Sequence, residues 1–60
     1  MTQFKQEIEQ LREIQRKIVS VILSDTNMHQ LQKDQLFARS YFARKTLEKI
    51  FEDLDKRYGS

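Results

Sequence analysis

The stretch FKQEIEQLREIQRKIVSVIL, residues 4–23, decides the fold. At about 100° per residue, Phe4, Ile8, Leu11, Ile14, Ile18 and Ile22 fall on one stripe roughly 120° wide. In heptad notation Phe4, Leu11 and Ile18 take d, while Ile8, Gln15 and Ile22 take a. The pattern predicts an amphipathic helix from about Thr2 to Leu23. Its outer face sets Glu9 against Arg12 and Glu13 against Arg16 and Lys17, at spacings that support a helix. The β-branched run Ile18–Leu23 has strand character, but the 3.6-residue period passes straight through it. A lone strand has no partner in this chain, so helix wins. The apolar arc from Val21 round to Leu23 spans roughly 200°, about twice what one antiparallel neighbour covers.

Ser24, Asp25, Thr26 and Asn27 follow, four residues that favour caps and turns over helix interiors. Beyond them Leu36, Ser40, Ala43, Leu47, Ile50, Phe51, Leu54 and Tyr58 form a second stripe, predicting a helix to about Tyr58. Lys49–Asp53, Glu52–Lys56 and Asp53–Arg57 lace its outside. Two readings of its start are open. Asn27 and Gln30 form a capping-box pattern, which confines the turn to residues 24–27. Alternatively Asp34 is the cap and the connection covers 24–33. On the first reading Met28 and Leu31 add a second apolar face. Helix two then outruns helix one, leaving Phe51, Leu54 and Tyr58 without an intramolecular neighbour. The expected fold is all-α: one domain over 1–60, an antiparallel two-helix hairpin with its stripes face to face.

Size argues that the hairpin dimerises into a four-helix bundle. A 60-residue chain buries about 60% of its unfolded surface, leaving ~4,200 Å² exposed. Burial returns on the order of 95 kcal/mol, against roughly 90 kcal/mol for ordering the chain. The chain has no cysteine for a disulfide, and its single histidine cannot build a structural zinc site. Self-association is the remaining source of stability. With no proline and one glycine, nothing punctuates the chain into a many-turned β-fold. No run approaches the ~20 apolar residues of a membrane span. The polar, acidic start MTQFKQEIEQ is unlike a signal peptide, so a cytoplasmic location is expected.

The inventory for catalysis is poor. His29, the one neutral-pH acid–base group, reads as an exposed turn residue. Ser20, Ser24 and Ser40 have no histidine at a readable helical spacing. Gly59 alone cannot make a phosphate-cradling loop. Glu9/Glu13 and Glu48/Glu52 repeat at i,i+4, but the Glu-x-x-His of di-metal bundles is absent and a charged face accounts for them. The expectation is no enzyme, no metal, no cofactor and no small-molecule substrate.

What remains is binding. Phe42 points roughly 130° away from the Leu36–Leu47–Leu54 stripe, with Ala38 one turn earlier and Lys45 and Lys49 one and two turns later. An aromatic anchor with a basic rim is built like a protein-binding hot spot. Packing in a dimer core is the alternative for Phe42. Lys5, Arg12 and Arg16 line one side of helix one, and a two-fold axis would double them into a weak nucleic-acid contact, though Glu9 and Glu13 intervene. Arg39, Arg44, Lys45 and Lys49 point in different directions and make no single stripe. A net charge of only +2 does not itself argue for nucleic acid. Gln15, among Ile8, Leu11, Ile14, Ile18 and Ile22, either fixes register or snorkels to the stripe's edge. With Gln15, the expected dimer and core set is Ile18, Ile22, Leu47, Phe51 and Leu54. The favoured function is a regulator or adaptor acting by protein–protein contact. The alternatives are an RNA- or DNA-binding regulator and a purely structural oligomerisation module.

Overall fold

A computed structural model describes residues 3–59 of the chain. It consists of two helices, α1 (Lys5–Ser24) and α2 (Gln30–Tyr58), packed side by side as a hairpin. The expected start of helix one at Thr2 lies outside the described residues. Phe4 occupies the α1 N-cap, and its carbonyl accepts from Ile8 N–H at 3.0 Å.

The turn is organised by Asp25. Its backbone is extended (ψ 109°), which ends α1. Its Oδ1 accepts from the N–H groups of Asn27 at 2.8 Å and Met28 at 3.0 Å. An Asx turn of this kind gives the backbone donors a partner where no helical one exists. The cap of α2 is His29, whose Nδ1 accepts from Leu31 N–H at 3.1 Å. Neither expected cap is used. Asp34 lies a turn inside α2, where its Oδ1 accepts from the Gln30 amide at 2.9 Å. The connection is therefore short, and α2 has 29 residues against 20 in α1.

The excess length does not leave Phe51 unpartnered, as the sequence reading had it. The segment before α1 continues alongside α2. The Phe4 and Phe51 rings lie 5.2 Å apart at a tilt of 37°, and Gln3 N–H donates to Asp55 Oδ1 at 2.9 Å. Cross-helix partners then descend in step, Arg12 with Glu48 and Gln15 with Arg44, as an antiparallel pair requires. At the far end Gly59 N–H closes onto Asp55 O at 2.7 Å, where a Cβ on residue 59 would meet that oxygen at 2.5 Å.

The two stripes do not meet squarely. On α1 and its N-cap the part-buried side chains are Phe4, Glu7, Ile8, Leu11, Gln15 and Val19, and Ile22 is buried at 4% exposure. On α2 the inward positions include Leu36, Ser40, Phe51 and Leu54 from the stripe, but also Phe37, Arg44, Glu48 and Asp55. Counting about 100° per residue, α2 is rotated by roughly 60° from the orientation that would centre its stripe. Ala43, Leu47 and Ile50 are thereby left exposed. The hairpin is slender, 48 × 16 × 10 Å, with a radius of gyration of 14.4 Å against about 10 Å for a compact chain of this length. Its accessible surface is 5063 Å², about 900 Å² above the scaling value.

Candidate functional site

The rotation of α2 gives the hairpin two unlike flanks. One is ionic. Glu48, 8% exposed, accepts from Arg12 Nη2 across the hairpin at 3.2 Å and from Arg44 Nη1 on its own helix. Arg44 also donates through Nε to Gln15 Oε1, and its guanidinium carbon stands 5.1 Å from the centre of the Tyr41 ring. Arg12 completes the chain through Glu9 at 3.3 Å, and Arg16 pairs with Glu13. A carboxylate this enclosed costs several kcal/mol to desolvate unless it is paired (on the order of 3–5 kcal/mol when one partner is lost), and two guanidiniums provide the pairing.

This flank gathers residues that helical spacing kept apart. Arg12, Arg16, Arg44 and Lys45 line one groove with Gln15 at its floor. No stripe exists on α2 alone, because the cluster forms only when the helices dock. Lys5 is exposed at the start of α1, two turns below Arg12. Glu9, Glu13 and Glu48 stand among the cations and take up much of their charge.

The other flank is apolar. Ile14, Ile18 and Val21 border it on α1 and Ala43, Leu47 and Ile50 on α2, all six exposed. Between the helices runs a groove of about 460 Å³, in which Ile18 and Val21 face Leu36, Ser40 and Ala43, with Lys17 and Arg39 at its rim. The Ser40 hydroxyl does not break this surface, because it donates back to Phe37 O at 2.8 Å. Ser24 is likewise turned to its own helix, donating to Ser20 O at 2.9 Å. Ile18 and Leu47, expected in the core or the dimer contact, therefore sit at the edge of the hairpin's interior.

A third surface lies on the back of α2, opposite α1. Phe42 is 73% exposed, and Ala38 and Leu31 lie on the same side at preceding turns. Met28, which the sequence reading set beside Leu31, is half-buried in the turn instead. Lys45 and Lys49 flank Phe42. Lys45 Nζ is 5.9 Å from the Tyr41 ring centre, and Lys49 pairs with Asp53 at 3.6 Å. Leu31 does not fold back over the apolar arc of α1, so Val21 and Leu23 stand open on either side of buried Ile22.

Among the described residues no group of three or more His, Cys, Asp or Glu side chains could hold a metal ion. No helix there is long and apolar enough to cross a membrane. No family model, curated protein or solved structure matches the chain.

Proposed function

We propose that the chain is a non-catalytic helical interaction module, a regulator or adaptor that works as a homodimeric four-helix bundle. The open apolar flank carries this reading. The ~900 Å² by which the hairpin exceeds the surface expected for its mass withholds about 13 kcal/mol of apolar burial from the single chain. For a domain whose stability is a small difference of large terms, a shortfall of that size calls for a second body. Burying ~900 Å² on each of two copies gives an interface of about 1,800 Å², within the standard range for specific association. The two-layer result is the four-helix bundle.

In such a dimer the Phe42 surface faces outward, about 90° round α2 from the apolar flank. Its apolar centre and lysine rim suit a partner helix or groove that offers apolar side chains bordered by carboxylates. A photo-cross-linking residue at position 42, compared with one at Glu13, tests this in the source cell. A partner captured from 42 and not from 13 supports the adaptor reading. No partner captured from 42 leaves a purely structural oligomerisation module, and capture of the chain's own second copy from 42 overturns the outward placement of Phe42.

Sedimentation equilibrium at micromolar concentration tests the dimer itself, with Leu47→Glu and Ile18→Glu expected to be monomeric. A folded monomer with concentration-independent melting sinks the reading. The second reading, phosphate-backbone binding by RNA or DNA, draws support from the Arg12–Arg16–Arg44–Lys45 cluster. It demands affinity at ~50 mM salt that collapses by ~200 mM, and no binding at the lower salt removes it.

A further inference from the structure

The pairs Arg12–Glu48 and Gln15–Arg44 set residues 14–24 of α1 beside residues 35–47 of α2. Neither segment contains an aspartate or a glutamate, although the chain has nine. Together they carry Arg16, Lys17, Arg39, Arg44 and Lys45, so the hairpin has an acid-free belt about 15–18 Å long. Glu13 and Glu48, at the edge of the belt, pair with Arg16 and Arg44. At the turn end Asp25 is taken up by the N–H groups of Asn27 and Met28, and Asp34 by Gln30. Lys17 and Arg39 have no carboxylate partner among the described residues. Arg39 has none within a helical turn, where its neighbours are Gln35, Leu36, Phe42 and Ala43.

These two cations stand at the rim of the apolar groove of about 460 Å³, one on each helix. The groove is deep enough to reach Ile22, which is buried, and half-buried Leu36 and Ser40. A smaller cavity of about 80 Å³ shares Ile18, Ser40 and Ala43 with it and extends to Ile14 and Leu47. A furrow with an apolar floor and a cation on each bank is complementary to one flexible apolar tail with an anionic head. From this we infer that the groove binds a free long-chain carboxylate. The tail lies along the furrow, and the head is held at its mouth by Lys17 and Arg39. Tail burial supplies the affinity, and the two cations select the anion. A flat bilayer meets exposed Val21 and Leu47 but does not reach the buried floor, whereas a single narrow chain does. The inference goes beyond the interaction-module reading. It gives the flank proposed for the second copy a small ligand as well, so a bound carboxylate and a second copy exclude each other.

The test titrates the whole chain with ionised dodecanoate and with dodecyltrimethylammonium, which has the same tail and the opposite charge, both below micelle-forming concentrations. Dodecanoate should move the amide NMR resonances of Ile18, Val21 and Ala43, and at low salt bind at least about tenfold more tightly than the cation. Sedimentation of the same samples should show the dimer giving way to monomer. A chain that is monomeric before any ligand is added overturns the dimer reading, and the resonance shifts then test the groove by themselves. A dimer that persists with dodecanoate bound overturns the shared face. Equal affinity for the two probes reduces binding to plain apolar adsorption and overturns the proposal, as does an unmoved spectrum at millimolar dodecanoate. Binding to phosphatidylglycerol vesicles without a response to free dodecanoate overturns it too, and gives the flank to a membrane surface. Arg39→Glu should weaken dodecanoate binding about tenfold at low salt. Lys56→Glu makes the same change in net charge at an exposed position on the back of α2, and should weaken it less than about twofold. Equal losses in the two variants would mean that net charge alone attracts the anion, and that Arg39 holds no head group.

Discussion

Arg44 donates through Nε to Gln15 on the facing helix, so an amide that helical periodicity places in an apolar stripe is the acceptor for a largely enclosed guanidinium. Read by itself, Gln15 predicts that leucine there raises the melting temperature, by exchanging a buried amide for an apolar side chain. The partner reverses that expectation. Gln15→Leu leaves Arg44 Nε without its acceptor, and a hydrogen bond to a charged group contributes about 1.5–3 kcal/mol. The gain from leucine offsets part of this. A net loss of about 1 kcal/mol is expected in urea unfolding at fixed protomer concentration, and a gain in stability would show that the pair contributes nothing.

Glu48 is the hub of the same flank. Glu48→Ala removes the carboxylate that Arg12 and Arg44 share and leaves Arg44 enclosed beside Tyr41. Arg12 is nearly half exposed and recovers solvation, which moderates the penalty. A loss of about 2–3 kcal/mol follows, enough to unfold much of so small a domain at room temperature. The double variant Glu48→Leu/Arg44→Met should be markedly less destabilised, because it removes the orphaned charge as well. Circular dichroism melts of the two variants side by side provide the comparison.

Asp25 holds two turn donors at once. Asp25→Ala should cost about 1–2 kcal/mol, the usual loss when a capping or Asx side chain is truncated. Asp25→Asn should retain most of the stability, since the amide oxygen still accepts. Equal losses in the two variants would mean that the turn does not depend on that oxygen.

Phe42 is the most exposed of the large apolar side chains named above. Phe42→Ala should change unfolding stability by well under about 1 kcal/mol, as for any surface position without packing. Burial in a dimer core would instead cost ~3–5 kcal/mol. The denaturation midpoint of this one variant therefore decides between an outward surface and an interior one.

The N-terminal stripe from Phe4 to Ile22, the polar break at residues 24–27 and the apolar run to Tyr58 sufficed to read two helices and their antiparallel pairing. Helix formation and amphipathicity are local properties with a fixed period, so residues 4–23 carry them without reference to anything else. The capping residue was not legible in the same way. Asn27, His29 and Asp34 all present acceptors; with Asp25 closing the turn over the N–H groups of Asn27 and Met28, α2 begins at Gln30 and the cap is His29. Tertiary structure alone decided the rotation of α2 about its axis. Glu48 and Arg44 lie on the side of the apolar stripe that a one-helix reading assigns to solvent. They turn inward because Arg12 and Gln15 meet them there. The same rotation carries Ala43, Leu47 and Ile50 out to the flank and gathers Arg12, Arg16, Arg44 and Lys45 into one groove. Periodicity places a side chain on its own helix. Which neighbour it meets depends on how two helical surfaces interlock, and a sequence read one helix at a time does not contain that relation.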